Sequence, residues 1–170
     1  MRSSSGRRPR IRVRFTFLLL NAVIFIMCSS QYIMAFYTVC AVHEAGHIIA
    51  AELLGVRINS VELSGLGIVM HTDKSRLVPI RMSLIVLAAG PAVNIAIFVL
   101  MHASGRTGTF AALDLAAAVY NLLPFPWLDG GAMIELLCTG SRHERAYRRW
   151  LNVLRAVVIV TAAAVALRYL

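Results

Sequence analysis

The chain has 170 residues, 59% of them hydrophobic and 15% charged, with a mean hydropathy of +0.73. A soluble domain carries about 45–50% apolar and ~25% charged residues, so an ordinary polar shell around a core is excluded. Disorder is excluded by the high hydrophobicity, and a disulfide scaffold by three cysteines (Cys28, Cys40, Cys138) without paired spacing. The net charge of +9 comes from sixteen Arg and one Lys that lie between apolar runs, which points to membrane topology and not to nucleic acid.

A span needs about 20 mostly apolar residues. In chain order the candidates are residues 15–36, 37–55, 82–102, 109–123 (short for a span) and 150–170. The expected fold is therefore an all-α polytopic membrane protein of about five transmembrane helices, with a range of roughly four to six if residues 130–138 add a short or re-entrant helix. Residues 1–14 form a basic tail ahead of the first run. That run is too long for a secretory signal, and no A-x-A-like site follows it.

Basic residues precede the first run (Arg2, Arg7, Arg8, Arg10, Arg12, Arg14). They recur between the second and third (Arg57, Lys74, Arg76, Arg81) and between the fourth and last (Arg142, Arg145, Arg148, Arg149). With five spans all of these fall on one side, leaving Arg106 and Arg168 on the other and Arg155 inside the last span. The positive-inside rule makes the first side cytoplasmic, N-terminus included. Residues 56–72 break the helical pattern with β-branched residues, an Asn-Ser pair and the glycines Gly65 and Gly67. They read as short strands or a hairpin at the cytoplasmic face.

The second run contains His43-Glu44-Ala45-Gly46-His47. Residues i and i+4 lie on one helix face, so both imidazoles can reach one tetrahedral Zn²⁺, with Glu44 placed to take a proton from its water. Five His and five Glu in the chain give about 0.004 chance matches to this pattern, and ionisable residues are scarce in spans. A third protein ligand is needed. Asp129 is the first candidate because Pro124, Pro126, Gly130 and Gly131 break the helix around it, and a broken segment at membrane depth lines a cavity. Asp114 is the rival, although its place near the outer end of a span is the plainer reading. His71, His102 and His143 read as interface or solvated residues, and Glu52 as solvated or paired with Arg57. Asn94, inside Ala89-Gly90-Pro91-Ala92-Val93-Asn94, either binds substrate backbone or makes an interhelical hydrogen bond, with Gly90 allowing close packing.

Together, His43-Glu44-Ala45-Gly46-His47, Gly90-Pro91-Ala92-Val93-Asn94 and Asn121-Leu122-Leu123-Pro124 through Leu128-Asp129-Gly130-Gly131 resemble the site-2 protease family of intramembrane zinc metalloproteases. They are most similar to its compact bacterial branch, which includes the stage IV sporulation membrane protease. The likeness covers about residues 37–135. It implies one catalytic domain over 1–170, one Zn²⁺ per chain on His43, His47 and Asp129, and Glu44 as base. It also implies Asn94 and Asn121 beside the substrate. Separately, a substrate drawn out as an extended strand is expected to pair on residues 56–72, the strand-like segment, where Gly65 and Gly67 permit close backbone approach. The implied activity is cleavage of transmembrane or membrane-proximal segments of other proteins, in a bacterial cytoplasmic membrane. The implied partners are membrane-protein substrates and the bilayer, with scope for a regulatory membrane partner. Trp127 stands where the family often runs Pro-Leu-Asp directly, and Ala132 where a basic residue often follows the glycines. Within 170 residues there is no room for fused PDZ or CBS domains, so regulation by them is not expected in this chain. The competing classes are a metal-ion transporter or channel, which has no required use for Glu44, and a non-catalytic scaffold, which has no reason to keep it.

Overall fold

In the computed structural model, residues 10–27, 29–64, 67–72, 78–142 and 144–169 are described. The apolar runs become helices, but their boundaries are set by residues that hydropathy does not weigh. Helix α1 (Phe15–Met27) stops where Ser29 takes an extended conformation (φ −70, ψ 150) and caps α2 (Ser30–Leu53). Serine favours such a cap position over a helix interior. The break expected after residue 36 thus lies before residue 30.

Two further elements extend the sequence reading. Residues 58–64 and 67–72 form the expected hairpin, β2 (Ile58–Ser64) and β3 (Gly67–Thr72), antiparallel with Ser64 opposite Gly67. The tail contributes an unanticipated strand, β1 (Arg10–Val13), which pairs in parallel with β2, Arg10 opposite Ser60 and Val13 opposite Leu63. Its Arg-Ile-Arg-Val alternation is the period-2 signal of a strand. The sheet order is β1-β2-β3, and the Arg14–Glu62 ion pair ties the start of α1 to the central strand.

The sheet carries a topological consequence. Since β1 leads into α1 and β2 follows α2, their pairing places the start of α1 and the end of α2 at the same end of the molecule. Arg12, Arg14, Arg57 and Arg81 gather at that end, Arg81 on the first turn of α3 (Ile80–Ala103). The turn out of α2 uses Gly55 at φ +66, a left-handed position that suits glycine.

The remaining helices are α4 (Thr109–Asn121), α5 (Asp129–Cys138) and α6 (Glu144–Tyr169). Among the described residues α2, α3 and α6 are long and apolar enough to cross a membrane, against the five spans expected. Helices α1 and α4, with 13 residues each, reach only about 20 Å at the helical rise, against a hydrocarbon thickness of ~30 Å. Helix α5 is the short extra helix that residues 130–138 suggested.

Packing follows the chemistry of lipid. Large apolar side chains such as Leu18, Ile26, Val99, Leu100, Val157 and Val160 are exposed, while many of the buried positions are small or polar, Gly46, Ala51, Gly90, Ala111, Ala118, His43, His47, Asn94 and Asp114, beside a few large apolar ones such as Ile33, Phe125 and Leu128. Helices in lipid gain little from burying Leu against Leu, so close backbone approach and polar pairing hold them together. Helices α2, α3 and α4 form the centre, α5 packs on α3, and α6 meets the bundle through α5 with Leu151 as its buried hydrophobic residue.

Candidate metal centre

Helix α2 buries one face that carries Val39, His43, Gly46 and His47. Gly46 permits the crossing with α3: a Cβ there would stand 2.8 Å from the Ala89 carbonyl oxygen. On the facing helix, Gly90 leaves the space that the two imidazoles fill. A Cβ at Gly90 would collide with His47 Nε2 and come within 2.6 Å of His47 Cε1 and 2.8 Å of His43 Cε1.

The third arm comes from the far side of the bundle. After α4 ends, residues 122–128 turn back on themselves through Phe125 N–H to Leu123 O (2.9 Å) and Leu128 N–H to Phe125 O (3.0 Å). Gly130 and Gly131 pass against the backbones of Leu122 and Phe125, where a Cβ has no room. This fold-back places Asp129 in the first turn of α5, where a carboxylate suits the helix dipole. Its Oδ2 lies 3.0 Å from His43 Nε2 and 3.2 Å from His47 Nε2, and the two Nε2 atoms are 3.2 Å apart.

Three potential ligand atoms of His43, His47 and Asp129 thus converge on one point, a group that could hold a metal ion. Atoms about 2.0–2.1 Å from a tetrahedral Zn²⁺ stand roughly 3.3 Å from one another, so the donor set fits this ion in type and in spacing. His47 Nδ1 is 2.7 Å from the Val86 carbonyl oxygen. Donation of Nδ1–H to that oxygen leaves a lone pair on Nε2, the tautomer a metal ligand needs. Glu44 follows His43 directly and is half-buried.

The other residues singled out in the sequence divide. Asn94 is fully buried one turn beyond Gly90, and neither amide atom has a protein partner among the described residues. Asn121 turns its amide back to the Ala117 carbonyl, 3.0 Å away. Gly67 opens β3, whereas Gly65 and His143 lie outside the described residues. Asp114 is buried in α4 with both carboxylate oxygens unpartnered among the described residues, and it is not part of the His–Asp group. Glu52 is exposed, His71 belongs to β3, and His102 stacks on Phe98 at the end of α3. Sequence reasoning did not assign the Val86 carbonyl, which any residue type could offer, and gave no role to Arg155.

Comparison of the whole structure with solved ones decides the architecture. It superimposes on the site-2 protease from Methanocaldococcus jannaschii with a TM-score of 0.68 and 24% identity, over 94% of this chain and 81% of that one. The chain has the site-2 protease fold. The likeness to the site-2 protease family read from three sequence motifs thus holds across the tertiary structure. The chain is also 29% identical over 116 residues to "Putative zinc metalloprotease sll0528" of Synechocystis sp.. That match covers 60% of this chain and 30% of the cyanobacterial protein, so the chain spans about a third of that relative. No family model matches.

Proposed function

We propose that this chain is an intramembrane zinc endopeptidase of the site-2 protease type, a single catalytic domain that cleaves transmembrane or membrane-proximal segments of other proteins. The observation that carries the reading is the meeting of His43 Nε2, His47 Nε2 and Asp129 Oδ2 at 3.0–3.2 Å, with Glu44 beside them on the same helix. One Zn²⁺ held by these three residues would supply a Lewis acid that activates water and polarises the scissile carbonyl. Glu44 takes the proton from the attacking water and returns it to the leaving amine. His47 is held in register by the Val86 carbonyl. The protein is multi-pass, in a bacterial cytoplasmic membrane. The end that carries the sheet and Arg12, Arg14, Arg57 and Arg81 faces the cytoplasm, by the positive-inside rule. His47 lies six residues before the end of α2, or about 9 Å of helix from that face.

A helical substrate shields its own peptide bonds, so it has to enter as an extended strand, and extended peptides are held by addition to a sheet edge. Both sides of β2 are taken, by β1 and β3. The pairing edge assigned to residues 56–72 is therefore the outer side of β3, where Gly67 allows close backbone approach; Gly65 lies outside the described residues. Asn94 and Asn121 hold the chain nearer the scissile bond, Asn121 after releasing Ala117. The decisive experiment is proteolysis of a single-span substrate by purified protein, wild type against Glu44→Gln. The variant keeps zinc and loses turnover. A Glu44→Gln protein that cleaves at the wild-type rate refutes the mechanism.

A further inference from the structure

Arg155 is an unusual residue in an unusual place. It sits in α6, whose apolar membrane-crossing window has no buried residue, and an arginine inside an apolar helix is costly unless it has partners. Its side chain is only 18% exposed. The guanidinium points away from lipid into the cleft between α5 and α6, which Glu135, Cys138, Leu151 and Asn152 also line. Nε–H donates to the Pro124 carbonyl oxygen at 2.5 Å, Nη1 donates to Asn152 Oδ1 at 3.3 Å, and Nη2 stands 3.6 Å from Glu135 Oε1.

The acceptor matters most. Pro124 is buried within the fold-back that precedes Asp129. Its carbonyl lies past the end of α4, and a buried carbonyl needs a donor. The second partner, Glu135, belongs to α5, the helix that Asp129 begins. One guanidinium therefore hydrogen-bonds the loop before Asp129 and faces, at ion-pair distance, a carboxylate on the helix after it. Among the described residues, Arg155 is the α6 side chain that hydrogen-bonds beyond its own helix and the turn before it.

We infer that Arg155 is a positioning residue for the metal centre, a clamp from the last helix that holds the Pro124–Asp129 turn so that Asp129 meets His43 and His47. It touches neither substrate nor metal. The inference rests on the proposed zinc site for its consequence and on the geometry of the turn for its cause, and each has its own readout. A planar guanidinium can hydrogen-bond Pro124 and Asn152 while its charge faces Glu135 at 3.6 Å. A lysine can reach Pro124 with a single ammonium, and a methionine restores nothing.

The test compares wild type, Arg155→Lys and Arg155→Met, full-length and in lipid nanodiscs. Amide hydrogen exchange over residues 121–131 reports the turn without reference to metal. Zinc competition against a chelator, and the visible spectrum of the Co²⁺-substituted protein, report the ligand geometry. Arg155→Met should exchange about tenfold faster across 121–131 while α2 and α3 exchange as in wild type. It should bind zinc roughly 10–100-fold more weakly, the range seen when an outer partner of a metal ligand is removed, and its Co²⁺ spectrum should shift. Arg155→Lys should recover part of each. Exchange over 121–131 and zinc affinity within twofold of wild type in Arg155→Met would overturn the inference. So would a uniform rise in exchange through α2 and α3, because the residue would then support the bundle and not the turn. If wild-type protein bound neither Zn²⁺ nor Co²⁺, the zinc reading would fall, and the exchange data alone would still decide whether Arg155 holds the turn.

Discussion

Gly90→Ala is the sharpest perturbation of the proposed centre, because one added carbon meets two imidazoles. The new Cβ would lie 2.6 Å from His47 Cε1 and 2.8 Å from His43 Cε1, where ordinary contact begins at 3.4 Å. Relief requires movement of about 1 Å at His47, whose Nε2 is the nearest atom. The ring cannot turn aside at no cost, since its Nδ1 is held by Val86 at 2.7 Å and its Nε2 faces Asp129 at 3.2 Å. Separation of α2 from α3 would open the close crossing at Gly46 and Ala89 and lose its packing. Metal sites tolerate ligand errors of roughly ±0.2 Å, and misplacement near 1 Å costs about 100-fold in rate, equivalent to about 2.7 kcal/mol. Overpacking itself costs about 1–3 kcal/mol of stability. The expected result is a kcat/KM at least about 100-fold below wild type with weakened zinc, in a protein that remains helical by circular dichroism. Gly108→Ala is the control, as a Cβ there meets nothing within 4 Å. A Gly90→Ala enzyme with wild-type kcat/KM and zinc affinity would refute the placement of the two imidazoles against Gly90.

Asp129→Ala should lose zinc and cleavage together, whereas Asp114→Asn should keep both, because Asp114 lies outside the ligand group; zinc titration of the two purified variants separates them. Prolines scanned one at a time through β3 should lower cleavage at alternate positions while zinc stays bound, since each removes an N–H and the outward N–H groups recur every second residue. Unchanged cleavage at every position would rule out strand addition at that edge.

Local geometry explains why half of the candidate site was legible in the sequence. His43 and His47 share a face because any α-helix places i and i+4 together, and Glu44 follows from adjacency. The glycines made sense as punctuation, but the backbone atoms they avoid belong to other elements, Ala89 for Gly46 and Leu122 and Phe125 for Gly130 and Gly131. Apolar composition located the helices. It did not place their ends, because hydropathy averages over Ser29 and Ser30, where the extended backbone of Ser29 separates the two helices. The tail alternation was visible in Arg10-Ile11-Arg12-Val13, yet a strand exists only if it finds a partner, and that partner starts at Ser60.

Composition and short-range periodicity therefore determined a membrane-embedded helical protein, a hairpin after the second run, and a helix able to present two imidazoles and a carboxylate. The Pro and Gly residues around Asp129 favoured it over Asp114 in the sequence, and tertiary structure brings Asp129 and not Asp114 beside the imidazoles. One is delivered to the imidazoles by a fold-back across 86 residues of chain, and the other is enclosed elsewhere in α4. Tertiary structure also decided that β2 is central, which leaves the free edges on β1 and β3, and that Arg155 faces inward from a largely exposed helix. The physical reason is the same in each case. A helical turn or a strand alternation is a property of neighbouring residues, whereas the convergence of distant side chains depends on where whole elements pack, and no local pattern encodes that.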